Sequence, residues 1–238
     1  MPLHYDVYGS GEPLVLLHGF AGAGSDWASL AAEWAADFRV IAPDLRGHGR
    51  SVNPLSTFRH DEAAGDIVAL LDGMGVGTFK GVGVSGGGNV LLHIATRYPE
   101  RVKALVLISA TTHFPEQART IMRSYSIDLL PEIEREKMRQ RHPGGAPQID
   151  RLFAQARAFA DSYDDLNFTT QDLARITART LIVQGDSDPF YPLGISEEMA
   201  AAIPHAELWI VRGGGHGPIG GERRPEFVRR AGEFLRQV

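Results

Sequence analysis

The sequence predicts an α/β fold, a mostly parallel doubly wound sheet with a helical cap inserted into it. Two observations carry this. Short continuous aliphatic runs, as found in strands buried on both faces, alternate with helical patterns up to about Ala110 and return near the C-terminus. Between about Thr112 and Arg175 the alternation stops and the patterns are helical.

The elements follow in order. "LHYDVY" (3–8) alternates apolar and polar residues, and "GSGEP" then breaks it, as a hairpin would. "PLVLLHG" (13–19) reads as a buried strand, Ser25 as the cap of a helix over 26–36, and "FRVIAP" (38–43) as the next strand. A second helix runs through 62–74, with Ala64, Ile67, Val68 and Leu71 spaced to share one face. "TFKGVGV" (78–84) is a strand, "GGGNVLLHIATRYP" (86–99) a helix that starts directly after it, and "RVKALVLISA" (101–110) another buried strand. "QARTIMRSYSI", "EIEREKMRQR" and "QIDRLFAQARAFADS" form the helical stretch, broken by "HPGGAP" (142–147). Strand character returns at "TLIVQG" (180–185) and "ELWIV" (207–211), and "PEFVRRAGEFLRQV" closes the chain as a helix. The organisation is therefore a core of 1–111 and 176–238 and a cap of 112–175.

Bulk composition narrows the function. A chain of 238 residues, 43% hydrophobic and 22% charged, has room for one full α/β domain with a small insertion. A net charge of −5 argues against nucleic acid or an anionic membrane as the main partner. With no cysteine there is no disulfide, thiol nucleophile or thiolate metal site, which suits a reducing cytoplasm. The N-terminal stretch lacks a signal-peptide pattern, and no apolar run approaches membrane-spanning length. No histidine and carboxylate cluster has metal-ligand spacing, so no metal is expected, and the serine chemistry read below requires no cofactor.

The chemistry turns on "GVGVSGGGNV" (81–90), which can be read in two ways. Gly81, Gly83 and Gly86 match the dinucleotide loop G-x-G-x-x-G, whereas Gly83, Ser85 and Gly87 match G-x-S-x-G, the turn that exposes a nucleophilic serine. The first reading needs an acidic residue about 20 positions on, to hold ribose hydroxyls. No Asp or Glu lies between Arg101 and Pro115, so it fails. The second needs an imidazole to take the serine proton and a carboxylate to orient the imidazole, in the chain order serine, acid, histidine. Asp186 and Asp188 in "GDSDPF" follow one late strand, and His216 in "RGGGHGP" follows the next. An oxyanion needs two N–H donors: Gly86 offers one, and Phe20 in the early loop "LLHGFAG" the other.

These stretches, "HGF" (18–20), "DLRGHGRS" (44–51), "GVSGG" (83–87), "GDSDPFYP" (185–192) and "GGGHGP" (213–218), resemble the α/β-hydrolase superfamily over essentially the whole chain. The style is that of small bacterial esterases, enol-lactonases and cofactor-free haloperoxidase-like hydrolases. The resemblance implies an α/β-hydrolase fold with a short helical cap after the sixth strand. It also implies Ser85, Asp188 and His216 as a triad and Phe20 with Gly86 as the oxyanion hole. One position departs from the pattern: family members commonly carry a side chain after the serine, and Gly86 has none, which removes one pocket wall.

Blander readings exist for each residue. Ser85 would otherwise be a helix N-cap, but the flanking glycines favour an elbow; His216 would otherwise be a loop histidine, but of the nine histidines it alone follows the last strand among glycines. Asp186 reads as a turn former, and Arg46 and His48 as loop-holding residues. Phe114, Tyr125, Phe153, Phe159, Tyr163 and Phe168 read mostly as cap core, with one or two lining a pocket. The expected function is a cytoplasmic serine hydrolase of a small carboxylic ester or lactone, acting through an acyl-enzyme on Ser85. The alternatives are perhydrolysis, C–C hydrolysis or elimination with the same residues, and a non-catalytic small-molecule receptor.

Overall fold

The computed structural model describes residues 2–237. Seven strands form one sheet: β1 (Tyr5–Tyr8), β2 (Glu12–Leu17), β3 (Phe38–Pro43), β4 (Phe79–Val84), β5 (Val102–Ile108), β6 (Arg179–Gly185) and β7 (Ala206–Val211). Their spatial order is β1-β3-β2-β4-β5-β6-β7, and every pairing except β1 with β3 is parallel. Parallel neighbours need crossovers, and helices supply them on both faces.

On one face α2 (His60–Gly73) and α3 (Gly86–Arg97) pack against Val15, Leu17, Leu105 and Leu107. On the other, α1 (Ala28–Trp34) and the C-terminal helix (Arg224–Arg236) cover Leu14, Leu16, Val106 and Ile108. Successive residues of one strand thus enter opposite cores, which is why β2 and β5 are continuous aliphatic runs. Between β5 and β6 lie α4 (Glu116–Arg123), α5 (Glu132–Arg141), α6 (Gly145–Ala158) and the single turn α7 (Thr170–Leu173). Met138, Ile149 and Phe153 make a small core of their own there. Beyond β6, α8 (Leu193–Ala202) crosses to β7, which makes the C-terminal helix α9.

Several expectations are corrected. "GSGEP" does not close a hairpin: β1 and β2 are not partners, and β1 instead pairs antiparallel with β3, Tyr5 opposite Pro43. Parallel pairing of β2 with both β3 and β4 leaves β2 no free edge for β1. The helical insert follows the fifth strand of the chain, not a sixth, because only one strand precedes β2. Ser25 caps nothing. The helix over 26–36 is a 3₁₀ turn (Gly24–Trp27) leading into α1, and Asp26 makes the cap bond by accepting from the Ala23 N–H. "HPGGAP" breaks the chain only as far as Gly144, since α6 starts at Gly145. Helix α8 escaped the pattern reading because "LGISEEMAAA" shows almost no apolar face.

Candidate active site

The strand order reverses at β2: β3 lies to one side of it and β4 to the other. Ligands of open α/β sheets bind in the crevice that such a reversal opens at the carboxyl ends of the strands. The loops after β2 and β4 meet there, carrying Phe20 and Ser85.

Ser85 adopts φ 51°, ψ −119°, a left-handed conformation rare for a residue with a side chain. The sharp turn holds because nothing larger than glycine fits beside it. A Cβ at Gly83 would stand 2.6 Å from the Gly87 carbonyl carbon, and one at Gly87 would collide with the Leu17 and His18 carbonyl oxygens. Ser85 Oγ lies 2.8 Å from His216 Nε2. Behind it, His216 Nδ1 is 2.8 Å from Asp188 Oδ2 and 3.1 Å from Oδ1. Since a carboxylate only accepts, Nδ1 carries the proton and Nε2 presents its lone pair to the serine hydroxyl.

The carboxylate of Asp188 is fully buried and heavily bonded. It accepts from Gln184 Nε2 at 3.0 Å, Phe190 N at 2.8 Å and Tyr191 N at 3.2 Å. Burial alone would raise its pKa, but the His216 bond and charge, with the two backbone N–H groups, hold it below the ordinary carboxylate value. Asp186 does something else: its Oδ1 accepts from Gly213 N at 2.7 Å and ties the loop after β6 to the one after β7.

A Cβ at Gly86 would lie 3.3 Å from the Phe20 nitrogen, so Gly86 and Phe20 approach closely across the crevice. The Phe20 loop is held from two sides. His18 Nε2 accepts from Leu45 N at 3.0 Å while its Nδ1 donates to the Gly19 carbonyl at 2.8 Å. His142, from the insert, donates through Nε2 to the Ala21 carbonyl at 3.0 Å and accepts at Nδ1 from Gly49 N at 3.0 Å. Arg46, paired with Asp66 at 2.6 Å and with Glu62, holds α2 to the loop after β3.

A cavity of about 200 Å³ opens over Ser85. Phe114, Met122, Tyr125 and Phe159 of the insert line it, with Phe190 and Tyr191 at its side. The other expected cap aromatics lie elsewhere: Phe153 in the small insert core, Tyr163 63% exposed against Arg119, and Phe168 against the main core and His93. The wall expected to be missing at Gly86 is filled by His60, whose Nε2 lies 3.6 Å from the Cβ position. His60 and its partner Asp165 had no signal in the sequence, being 105 positions apart in unrelated patterns. Among the described residues, no group of three or more His, Asp or Glu side chains is placed to hold a metal ion, and no helix is long and apolar enough to cross a membrane.

The family model described as "alpha/beta hydrolase fold" matches residues 12–173, and a second, "TAP-like protein", matches 163–236. The chain belongs to the α/β-hydrolase fold family. Among solved structures, a thermophilic esterase from Thermogutta terrifontis superposes with a TM-score of 0.77 at 26% identity, covering 99% of this chain and 93% of that one. An N-acyl homoserine lactone degrading enzyme does so with a TM-score of 0.77 at 29% identity, covering 99% and 96%. The dihydrolipoyllysine-residue acetyltransferase component of the acetoin cleaving system of Pseudomonas putida is 42% identical over 100 residues, 42% of this chain and 27% of that protein. The chain matches only 27% to 37% of the length of the first curated relatives.

Proposed function

We propose that this α/β-hydrolase cleaves a carboxylic ester or lactone through an acyl-enzyme on Ser85. His216 Nε2 takes the Ser85 proton as Oγ attacks the carbonyl carbon. The tetrahedral oxyanion is held by the N–H groups of Gly86 and Phe20, and collapse expels the alkoxide, which His216 protonates. Water then loses a proton to His216, attacks the acyl carbon and releases the carboxylic acid with Ser85 restored. Asp188 keeps His216 in the tautomer that faces the serine and stabilises the imidazolium formed in each half-reaction.

The observation that carries the reading is the unbroken line Ser85 Oγ, His216 and Asp188, with 2.8 Å at each step. Likeness to an esterase and to a lactone-degrading enzyme supports the substrate class, and a cavity of about 200 Å³ suits short acyl chains. The test is labelling with a fluorophosphonate probe alongside turnover of p-nitrophenyl acetate. We expect stoichiometric modification at Ser85, and Ser85→Ala should lose at least about 10⁴-fold in kcat while keeping its fold. Folded wild-type protein that neither labels nor turns over any ester would indicate a binding module instead.

A further inference from the structure

In the cavity wall beside Gly86 stands a polar group that this chemistry leaves unused. His60, the first residue of α2, is 1% exposed, its ring set among Phe58, Phe114 and Phe159 at centroid distances of 5.3, 6.0 and 5.2 Å. Its Nδ1 lies 2.7 Å from Oδ2 of the buried Asp165, which reaches over from the insert. The same carboxylate accepts from the backbone N–H groups of His60 at 2.8 Å and Asp61 at 3.1 Å, so it also caps α2. Burial would raise the Asp165 pKa, yet the His60 bond and these N–H groups hold it well below the usual range. An ionised carboxylate can only accept, so His60 Nδ1 carries the proton.

The other ring nitrogen, Nε2, has no hydrogen-bond partner among the described residues and lines the cavity. It stands 3.6 Å from the Cβ position of Gly86, and the Phe20 nitrogen is 3.3 Å from that same point. In the neutral ring with its proton on Nδ1, Nε2 offers a lone pair to the cavity, close to the point where Gly86 and Phe20 approach each other. Any side chain at 86 would begin within contact distance of it, so the glycine keeps Nε2 accessible.

We infer that His60 is a specificity-determining residue. Its Nε2 accepts a hydrogen bond from a hydroxyl or amide N–H on the carbon next to the scissile carbonyl, so the preferred substrates are α-hydroxy or α-acylamino esters and lactones. The inference rests on the serine-hydrolase reading. A donor on that carbon, lying on the same side as the carbonyl oxygen, is the substrate group nearest to Nε2 once the oxygen points between Gly86 and Phe20. Asp165 is a positioning residue that fixes which nitrogen faces the substrate.

The test compares kcat/KM for ethyl lactate, ethyl N-acetylalaninate and ethyl 2-fluoropropionate. Fluorine matches a hydroxyl in size and activates the carbonyl more strongly, but it donates no hydrogen bond. Wild-type protein should prefer lactate or N-acetylalaninate over the fluoro ester in spite of that activation, and the two donor esters tell hydroxyl from amide recognition. In His60→Phe the preference should fall by at least about tenfold, because a site built to accept a substrate's hydrogen bond discriminates against the analogue that lacks the donor. Fluorophosphonate labelling of Ser85 reports that the variant's site is assembled. A wild-type preference for the fluoro ester, an equal loss on all three esters, or an unchanged ratio in the variant would each overturn the contact. Wild-type protein that labels at Ser85 but shows no donor preference sinks only the His60 inference, whereas failure to label sinks the hydrolase reading beneath it.

Discussion

Asp186 and Asp188 stand two residues apart after the same strand, and their surroundings separate them. Asp188 is buried against His216 and accepts from Gln184, Phe190 and Tyr191, whereas Asp186 is exposed and braces Gly213. An amide at 188 could donate to His216 Nδ1 and so stabilise the tautomer whose Nε2–H faces the serine, which cannot take a proton. Asp188→Asn should therefore lower kcat by roughly 10⁴-fold with little change in KM. Asp186→Asn keeps an oxygen for the Gly213 N–H and should stay within about threefold of wild type, as surface turn substitutions usually do. Steady-state kinetics of both variants on one ester decide the matter, and an inactive Asp186→Asn would reverse the assignment of the acid.

The strand β4, the elbow and helix α3 make one unit whose shape depends on close packing of backbone. Gly87 sits where α3 crosses the end of β2, and a Cβ there would stand 2.6 Å from the His18 oxygen and closer still to that of Leu17. Gly87→Ala must push helix and strand apart, so we expect a loss of about 1–3 kcal/mol in urea unfolding, together with reduced labelling of Ser85. Gly65 offers the opposite case within α2. It is exposed, nothing lies within 4 Å of its Cβ position, and it occupies a helix interior. Gly65→Ala should raise stability by about 0.5–1 kcal/mol and leave kinetics unchanged. A destabilised Gly65→Ala would mean that α2 is bent in a way its surroundings do not reveal.

At the scale of the whole molecule, burial holds four imidazoles back from taking a proton. Burial pushes His18, His48, His93 and His142 below the ordinary histidine value of 6.5, His93 to about 4. The unfolded chain takes up protons at these positions near pH 6.5, while the folded chain resists until lower pH. Between those values the unfolded state binds more protons, so stability is greatest above about pH 6.5 and falls as the pH drops toward 4. Asp165 and Asp188, both held below the ordinary 3.8, add a further loss at lower pH as they protonate. The urea midpoint should thus decline steadily from pH 7 to 4.5, and less steeply in His93→Gln. A flat midpoint over that range would contradict the neutral burial of these rings. His142 and His18 both hold the Phe20 loop, so acid should loosen the site before the sheet unfolds.

Strand and helix periods, and the glycines around Ser85, were enough to predict the layered sheet and the elbow. Local chemistry determines these features: aliphatic runs need two covered faces, and a sharp turn needs small neighbours. Contacts between distant segments were a different matter. That β1 turns away from β2 to pair with β3, and that α8 crosses between β6 and β7 with hardly an apolar face, depends on which sheet edges and surfaces are left open. His142 bridging the loops after β2 and β3, and Asp165 aiming His60 into the cavity beside Gly86, join residues about 100 positions apart. No periodicity links such residues. Only the seating of the insert on the sheet brings them within hydrogen-bond reach, and so only the tertiary structure decides which side chains line the cavity over Ser85.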